Sequence, residues 1–177
     1  MEAKITILKP FFEEPNREYH IRELSRILKI NHTTVRQKLT KLVKEGLLAV
    51  TKGKVYSAYK PIASRKYLNL KLYYNLEKIR ISGLVDDIEK AFDYPAIILF
   101  GSYATANDDT TSDIDICVIS NIKKEFDTEK YEKILNRKIS LHLFTKDKWK
   151  GMTKENKGLI NNVCNGIMLS GQLEVLQ

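Results

Sequence analysis

Apolar residues recur at helical spacing through most of the first third of the chain. Their positions predict a helix at 4–12 that ends near Pro15, a short strand at 19–21, and helices at 22–28 and 31–45. Asn31 is a favourable N-cap for the third helix, and Gly46 would close its carboxyl end. The tight turn at 29–31 between two short helices is typical of a helix-turn-helix motif.

The third predicted helix separates apolar from polar residues. One stripe is apolar and consists of Val35, Leu39, Leu42 and Val43. The opposite face carries hydroxyl, amide and ammonium groups, on Thr33, Thr34, Gln37, Lys41 and Lys44. Groups of these kinds hydrogen-bond base edges and phosphates in the major groove of DNA. We therefore interpret this face as a candidate DNA-binding surface, although a small helical adaptor with solvated lysines would show the same charges.

Two strand-like runs follow the third helix. They cover 47–51 and 55–59 and flank a turn at Gly53. Lys52 and Lys54 lie at the tip of this predicted hairpin. A hairpin with a cationic tip beside a recognition helix would grip the phosphate backbone next to the groove.

The middle segment, 61–92, reads as helical with a break at Ser82-Gly83. Leucine and isoleucine recur at helical spacing, together with the aromatic residues Tyr67, Tyr73 and Tyr74. This stripe is either a dimer interface, since aromatic residues favour association, or part of a core that packs on the C-terminal domain. We slightly favour the core interpretation.

From residue 96 onward the pattern alternates between strands and helices. It predicts strands at 96–100, 113–119, 138–144 and 167–169, and helices at 128–136, 147–152 and 159–165. In the second strand, alternation places Asp113, Asp115 and Cys117 on the face opposite to Ile114. The chain is therefore expected to belong to the α+β class, with a small mixed-sheet domain at its carboxyl end.

Charge is distributed unevenly along the 177 residues. The net charge is +8, and residues 1–60 alone hold 13 Lys and Arg against 6 Asp and Glu. Such asymmetry favours a nucleic acid or another polyanion as the partner of the basic part.

The longest apolar runs hold about five residues, far short of the roughly 20 that a membrane-spanning helix needs. Two widely separated cysteines, Cys117 and Cys164, are expected to be buried thiols in a reducing cytoplasm.

The segment Gly101–Asp115 carries the candidate chemistry. Gly101-Ser102 follows an apolar strand, and Asp113 and Asp115 come after ten intervening residues. Two carboxylates on one strand face can hold Mg²⁺, which prefers oxygen ligands. The glycine lets the backbone approach a polyphosphate, and the serine offers a hydroxyl and an N–H group. The residues favour phosphoryl or nucleotidyl transfer over the alternative of a plain turn with a surface pair of aspartates.

Two family resemblances rest on these residues. The order of elements over 1–60 resembles winged helix-turn-helix domains of bacterial and archaeal regulators. The G-S-x₁₀-D-x-D motif resembles the minimal nucleotidyltransferases of the DNA polymerase β superfamily, over roughly 92–171. The predicted organisation is therefore a winged helix-turn-helix DNA-binding domain at 1–60, a helical linker at 61–92 and a nucleotidyltransferase-like domain at 93–177.

The second resemblance implies a function for each motif residue. Gly101 and Ser102 would cradle the β- and γ-phosphates of ATP or another nucleoside triphosphate, while Asp113 and Asp115 would bind the Mg²⁺ that bridges them and carry catalysis. A hydroxyl would then attack the α-phosphorus and displace pyrophosphate. Many members of this group occur beside a HEPN-type partner, and some are antitoxins that adenylylate their toxin. A HEPN-type partner and an antitoxin or regulatory role are therefore expectations, as is a homodimer on double-stranded DNA.

The sequence departs from the family pattern at two places. No further Gly or Arg follows the Gly-Ser pair, where 103–106 reads Tyr-Ala-Thr-Ala. Active members place a third carboxylate on the following strand, where this chain has Ser140 and His142. Two hypotheses stay open: an enzyme that transfers a nucleoside monophosphate to a hydroxyl, or a DNA-binding regulator whose catalytically weak domain senses nucleotide or docks a partner.

Overall fold

The computed structural model describes residues 2–53 and 56–173 of the chain. Two compact units are present, residues 1–74 and residues 75–177. The division between them falls inside helix α4 (Arg65–Ile81). The predicted linker 61–92 therefore contributes residues to both units.

The N-terminal unit combines helices with a small antiparallel sheet. Before α4, its elements are α1 (Glu2–Glu13), β1 (Tyr19–His20), α2 (Ile21–Leu28), α3 (His32–Lys44), β2 (Leu48–Lys52) and β3 (Ser57–Pro61). The sheet has the strand order β1-β3-β2, and both pairs are antiparallel. This order of elements agrees with the sequence prediction.

Helix α3 begins and ends at the residues that the sequence indicates. The side chain of Asn31 accepts a hydrogen bond from the backbone N–H of Thr33 at 2.8 Å, which caps the helix. Gly46 follows the helix with a φ of +71°, a conformation that glycine adopts without strain. Val35 and Leu39 on the apolar stripe are fully buried, so packing of this face stabilises the helix.

Part of the aromatic stripe of the middle segment lies in the core of the N-terminal unit. The Tyr67 hydroxyl donates a hydrogen bond to the carbonyl oxygen of Phe11 at 2.8 Å, and the Phe12 ring packs on both Tyr67 and Tyr74. Leu76 and Ile79, further along α4, join the core of the C-terminal unit instead. The favoured interpretation, packing on the C-terminal domain, is therefore correct for Leu76 and Ile79 and wrong for Tyr67 and Tyr74.

The C-terminal unit is built on a four-stranded mixed sheet. Its elements after α4 are α5 (Leu84–Phe92), β4 (Ala96–Phe100), α6 (Gly101–Thr105), β5 (Ile114–Ile119), α7 (Glu129–Leu135), β6 (Ile139–Phe144), α8 (Lys146–Glu155), α9 (Lys157–Cys164) and β7 (Ile167–Ser170). The strand order is β6-β5-β4-β7, in which β5 and β6 run parallel and the other neighbours antiparallel. The predicted α+β class is confirmed.

Each face of this sheet carries a separate apolar core. Ile97 and Ile116 belong to the core that includes Ile88 of α5, whereas Ile98 and Cys117 belong to the core that includes α8 and α9 residues. Every second residue of β4 and β5 thus enters the same core, as strand geometry requires. Both faces are covered, so β4 is apolar throughout.

The cysteine prediction is correct for one residue and wrong for the other. Cys117 is fully buried on β5, and burial raises the pKa of its thiol to about 12. Cys164 is exposed at the last residue of α9. The apolar neighbours of Cys164 in sequence do not bury it, because it lies on the solvent side of the helix end.

The described residues include no helix that is both long and apolar enough to cross a membrane.

Candidate functional site

The turn from β4 into α6 brings Gly101 against a carboxylate. Gly101 has a φ of +73°, which side chains rarely allow. A Cβ atom at this position would overlap Oδ2 of Asp115 and lie 3.2 Å from its Cγ. Only glycine permits this close approach, so the first and last residues of the motif meet.

The two aspartates lie at the start of β5. Asp115 is paired in register with Phe100, the last residue of β4, and Asp113 immediately precedes the strand. Asp115 is half-buried and Asp113 is exposed, while Ile114 between them is fully buried on the opposite face. The predicted alternation is therefore confirmed, and both carboxylates lie at the end of the sheet where Gly101-Ser102 begins α6.

The charge on Asp115 depends on its surroundings. Burial raises the pKa of its carboxyl group above the ordinary value, and the neighbouring Asp113 carboxylate raises it further, while His142 acts in the opposite direction. A second negative charge close to a half-buried carboxylate is unfavourable without a cation. Two adjacent oxygen donors with this electrostatic cost fit a hard divalent cation such as Mg²⁺.

Strand β6 brings Ser140 and His142 to the same area. Ser140 is the register partner of Asp115 in the parallel β5–β6 pair, and its Oγ lies 3.1 Å from Nε2 of His142. The His142 ring also packs on Phe100, with 5.4 Å between ring centroids. The described residues include no cluster of three or more His, Cys, Asp or Glu that could hold a metal ion. At the position where a third carboxylate was expected, the structure has a hydroxyl next to an imidazole.

The loop before β5 is held by polar contacts that the sequence reasoning missed. Buried Asn75 donates through Nδ2 to Oδ1 of buried Asp108 at 2.8 Å and to the carbonyl oxygen of Tyr103 at 3.2 Å. Asp109 accepts a hydrogen bond from the backbone N–H of Thr111 at 2.9 Å. These contacts fix the chain between α6 and Asp113. Their sequence signal is an asparagine among the regularly spaced leucines and isoleucines of α4.

A family model describes this part of the chain. The polymerase beta nucleotidyltransferase model matches residues 84–172, just over half of the sequence. The chain belongs to this nucleotidyltransferase family. The match contains both halves of the motif and the whole four-stranded sheet, so the C-terminal unit holds the nucleotidyltransferase domain.

Two solved structures show weak similarity to the chain. A candidate transcriptional regulator from Methanosarcina mazei Go1 is 21% identical, with a TM-score of 0.34, and the match covers 52% of this chain and 77% of that one. A candidate transcriptional regulator from Rhodococcus sp. RHA1 is 16% identical, with a TM-score of 0.35, and the match covers 67% of this chain and 42% of that one. No curated protein sequence matches significantly.

Outside the nucleotidyltransferase domain, the N-terminal unit presents the residues predicted to bind DNA. Four of them are exposed on α3: Thr33, Gln37, Lys41 and Lys44. Thr34 is half-buried, Lys52 is exposed at the end of β2, and Lys54 lies outside the described residues. The polar face of α3 therefore faces solvent, as the helical pattern predicts.

A basic groove lies beside this face and is lined by none of the six predicted residues that the structure describes. Its volume is about 1210 Å³, and α2, α3 and the residues around β3 line it. The acidic Glu23 lines it together with arginine and histidine side chains, which are Arg17, His20, Arg22, Arg26, His32 and Arg36. Arg17 is paired with Glu14 at 3.0 Å and with Glu23 at 2.5 Å. Arginine and histidine recur at i, i+4 spacing on both helices, which is a sequence signal for the groove. The predicted DNA-binding surface used one face of α3 only and therefore did not include these residues.

Proposed function

We propose that the C-terminal unit binds a nucleoside triphosphate together with Mg²⁺ and transfers a nucleoside monophosphate to a hydroxyl acceptor. The observation that supports this proposal best is the convergence of Gly101, Asp113 and Asp115 at one end of the sheet. Members of the polymerase beta nucleotidyltransferase family generally use a divalent metal ion and a nucleoside triphosphate. The donor set consists of carboxylate oxygens, which suits this cation.

Each motif residue has a distinct part in this proposal. Asp113 and Asp115 would hold the ion, which when bound neutralises phosphate charge and polarises the phosphoryl group. Gly101 has no side chain and so leaves room for the Asp115 carboxylate beside the start of α6. Ser102 is the second residue of α6, in the first turn, where the N–H groups have no partner within the helix. The site supplies position and charge rather than covalent chemistry.

Nucleotide retention tests this proposal directly. Equilibrium binding of ATP with Mg²⁺ should be strong for the wild type and lost in Asp113→Asn and Asp115→Asn, because an amide removes one negative oxygen ligand. Asp86→Asn, at an exposed position of helix α5, is the matched control and should bind as the wild type does. Equal retention by the wild type and both motif variants would contradict the metal site.

We further propose that the N-terminal unit is a winged helix-turn-helix domain that binds double-stranded DNA. Helices α2 and α3 with the β2–β3 hairpin provide the elements in the required order. The exposed polar face of α3 and the adjacent basic groove supply cations for phosphates. Sequence-specific contacts would come from Thr33 and Gln37, which can reach base edges.

A second candidate function follows from one observation. Ser140 and His142 replace the expected third carboxylate, and neither is a favourable Mg²⁺ ligand. The alternative is a DNA-binding regulator in which the nucleotidyltransferase domain binds nucleotide without turnover. Pyrophosphate release separates the two, since the enzyme releases it with ATP and Mg²⁺ and the sensor does not. The homodimer, the HEPN-type partner, the antitoxin role and the cytoplasmic location stay predictions.

A further inference from the structure

Ser140 and His142 form a hydroxyl–imidazole pair inside the nucleotidyltransferase domain. Both side chains are half-buried on the same face of β6, and Oγ of Ser140 lies 3.1 Å from Nε2 of His142. A serine hydroxyl within hydrogen-bond distance of a histidine is the arrangement that activates a serine nucleophile. On a surface without a reactive partner, such a pair would be merely structural.

The pair is positioned relative to the proposed metal site by the parallel β5–β6 pairing. Ser140 is the register partner of Asp115, and alternation places both side chains on one face of the sheet. The ring of His142 lies near two aromatic rings, with its centroid 5.4 Å from that of Phe100 and 6.5 Å from that of Phe144. The hydroxyl therefore lies on β6 next to a proposed metal ligand on the paired strand β5.

We propose that Ser140 is an internal acceptor of the nucleotidyltransferase domain, which transfers a nucleoside monophosphate to its own serine. Oγ of Ser140 attacks the α-phosphorus of the bound nucleoside triphosphate, and the bond between this phosphorus and the oxygen that bridges to the β-phosphate breaks. Pyrophosphate leaves, a phosphodiester links Ser140 to the nucleoside, and the hydroxyl proton passes to Nε2 of His142. This inference rests on the proposed nucleotide site.

The location of the pair explains why this acceptor is favoured over an external one. The position next to Asp115 on the neighbouring strand lies beside the proposed metal site, which would hold the phosphates. Ser140 already occupies this position, so attack is intramolecular and avoids the entropy cost of bringing in a second molecule. The same placement accounts for a serine where a metal-binding carboxylate was expected.

Label transfer to the full chain tests the proposal. The wild type is incubated with Mg²⁺ and each of the four ribonucleoside triphosphates, labelled either at the α- or at the γ-phosphate. Intact mass and peptide mapping then locate the modification. We expect stable α-label on the peptide that contains Ser140, no γ-label, and one equivalent of pyrophosphate for each modified chain.

Variants separate the acceptor from the nucleotide site. Ser140→Ala should retain ATP with Mg²⁺ but take up no label, while Ser140→Thr should keep the hydroxyl and regain part of the labelling. His142→Asn should slow labelling by at least about 100-fold, the lower end of the range for a lost general base. Thr110→Ala removes an exposed hydroxyl from the loop before β5 and should be labelled as fast as the wild type.

Each contrary result has a separate meaning. A wild type that retains ATP but takes up no α-label, or takes it up at a residue other than Ser140, overturns the internal acceptor and leaves the nucleotide site standing. Undiminished labelling of Ser140→Ala does the same. A wild type that retains none of the four nucleotides overturns the proposed function and the internal acceptor together.

Discussion

Gly101 and Asp115 are so close that the glycine position has no room for a side chain. The nearest atoms to a Cβ placed there are all in the carboxylate side chain of Asp115. The same glycine has a left-handed backbone conformation. Two independent requirements, conformation and space, therefore coincide at the residue that joins β4 to α6.

Gly101→Ala tests these two requirements when it is compared with Gly83→Ala. Gly83 has a φ of +77° but open space where a Cβ would lie. Its alanine variant should therefore be destabilised only by the left-handed backbone conformation, which lowers the free energy of unfolding by about 1 kcal/mol. Gly101→Ala adds displacement of the Asp115 carboxylate and should be less stable than Gly83→Ala. Urea denaturation measures both values.

The same pair of variants also separates stability from binding. Gly101→Ala should lose retention of ATP with Mg²⁺ at temperatures where it is still folded, whereas Gly83→Ala should retain ATP. Equal retention by the two variants would show that the added methyl group does not move the Asp115 carboxylate enough to affect nucleotide binding.

The salt dependence of DNA binding tests the basic face of the N-terminal unit. Lys41→Ala, Lys52→Ala and Arg36→Ala should each weaken binding to duplex DNA and reduce the slope of log K against log[salt] by about 0.9, the value for one lost phosphate contact. Arg36 represents the groove, and the two lysines represent the predicted surface. Fluorescence anisotropy at several salt concentrations measures the slopes.

Lys9→Ala provides the control for charge alone. Lys9 is exposed on α1 and does not line the groove, so its loss should leave the slope unchanged. If Arg36→Ala behaves as Lys9→Ala does while the lysine variants lose one contact each, DNA lies on the predicted face of α3 and not in the groove.

The local sequence pattern was sufficient to predict the helices, the strands and the motif, but not the pairing and register of the strands. Asparagine at 31 and the alternation around Asp115 act within a few residues, so helix α3 and strand β5 could be predicted from sequence. The register that places Ser140 beside Asp115 depends on pairing between strands separated by helix α7, and no local signal specifies it. Cys164 shows the opposite error, because apolar neighbours in sequence did not predict burial at the end of a helix.

Acid unfolding tests the contact between helices α5 and α7. Asp87 accepts hydrogen bonds from Nζ of Lys130 at 2.8 Å and from the hydroxyl of Tyr131 at 2.5 Å, and these partners, Lys130 first, lower its pKa from 3.8 to about 2. A lowered pKa stabilises the fold above the ordinary value of the group, and this contribution disappears as the pH falls towards 2.

Asp87→Asn should therefore be less stable than the wild type at neutral pH, and the difference in free energy of unfolding should shrink as the pH falls from about 4 towards 2. Because the carboxylate is partly exposed, the difference should also decrease with added salt. When Lys130→Met is added to both the wild type and Asp87→Asn, most of the stability difference between the two proteins should disappear. A gap between wild type and Asp87→Asn that is constant across this pH range would contradict the ionic origin of the contact.

A third carboxylate introduced at position 140 tests how far the missing ligand limits metal binding. In Ser140→Asp the new side chain lies beside Asp115 across the β5–β6 pair, so like charges should lower the stability of the metal-free protein by about 0.5–1 kcal/mol. Mg²⁺ binds only the folded chain and should reverse this loss, which gives Ser140→Asp a larger Mg²⁺-dependent rise in Tm than the wild type has. Ser140→Asn, of equal size and without charge, should show no such rise. If the Tm of Ser140→Asp does not respond to Mg²⁺, the side chain at 140 does not reach the ion that Asp113 and Asp115 are proposed to hold. The shorter side chain of Ser140 would then be too distant to act as a ligand of that ion.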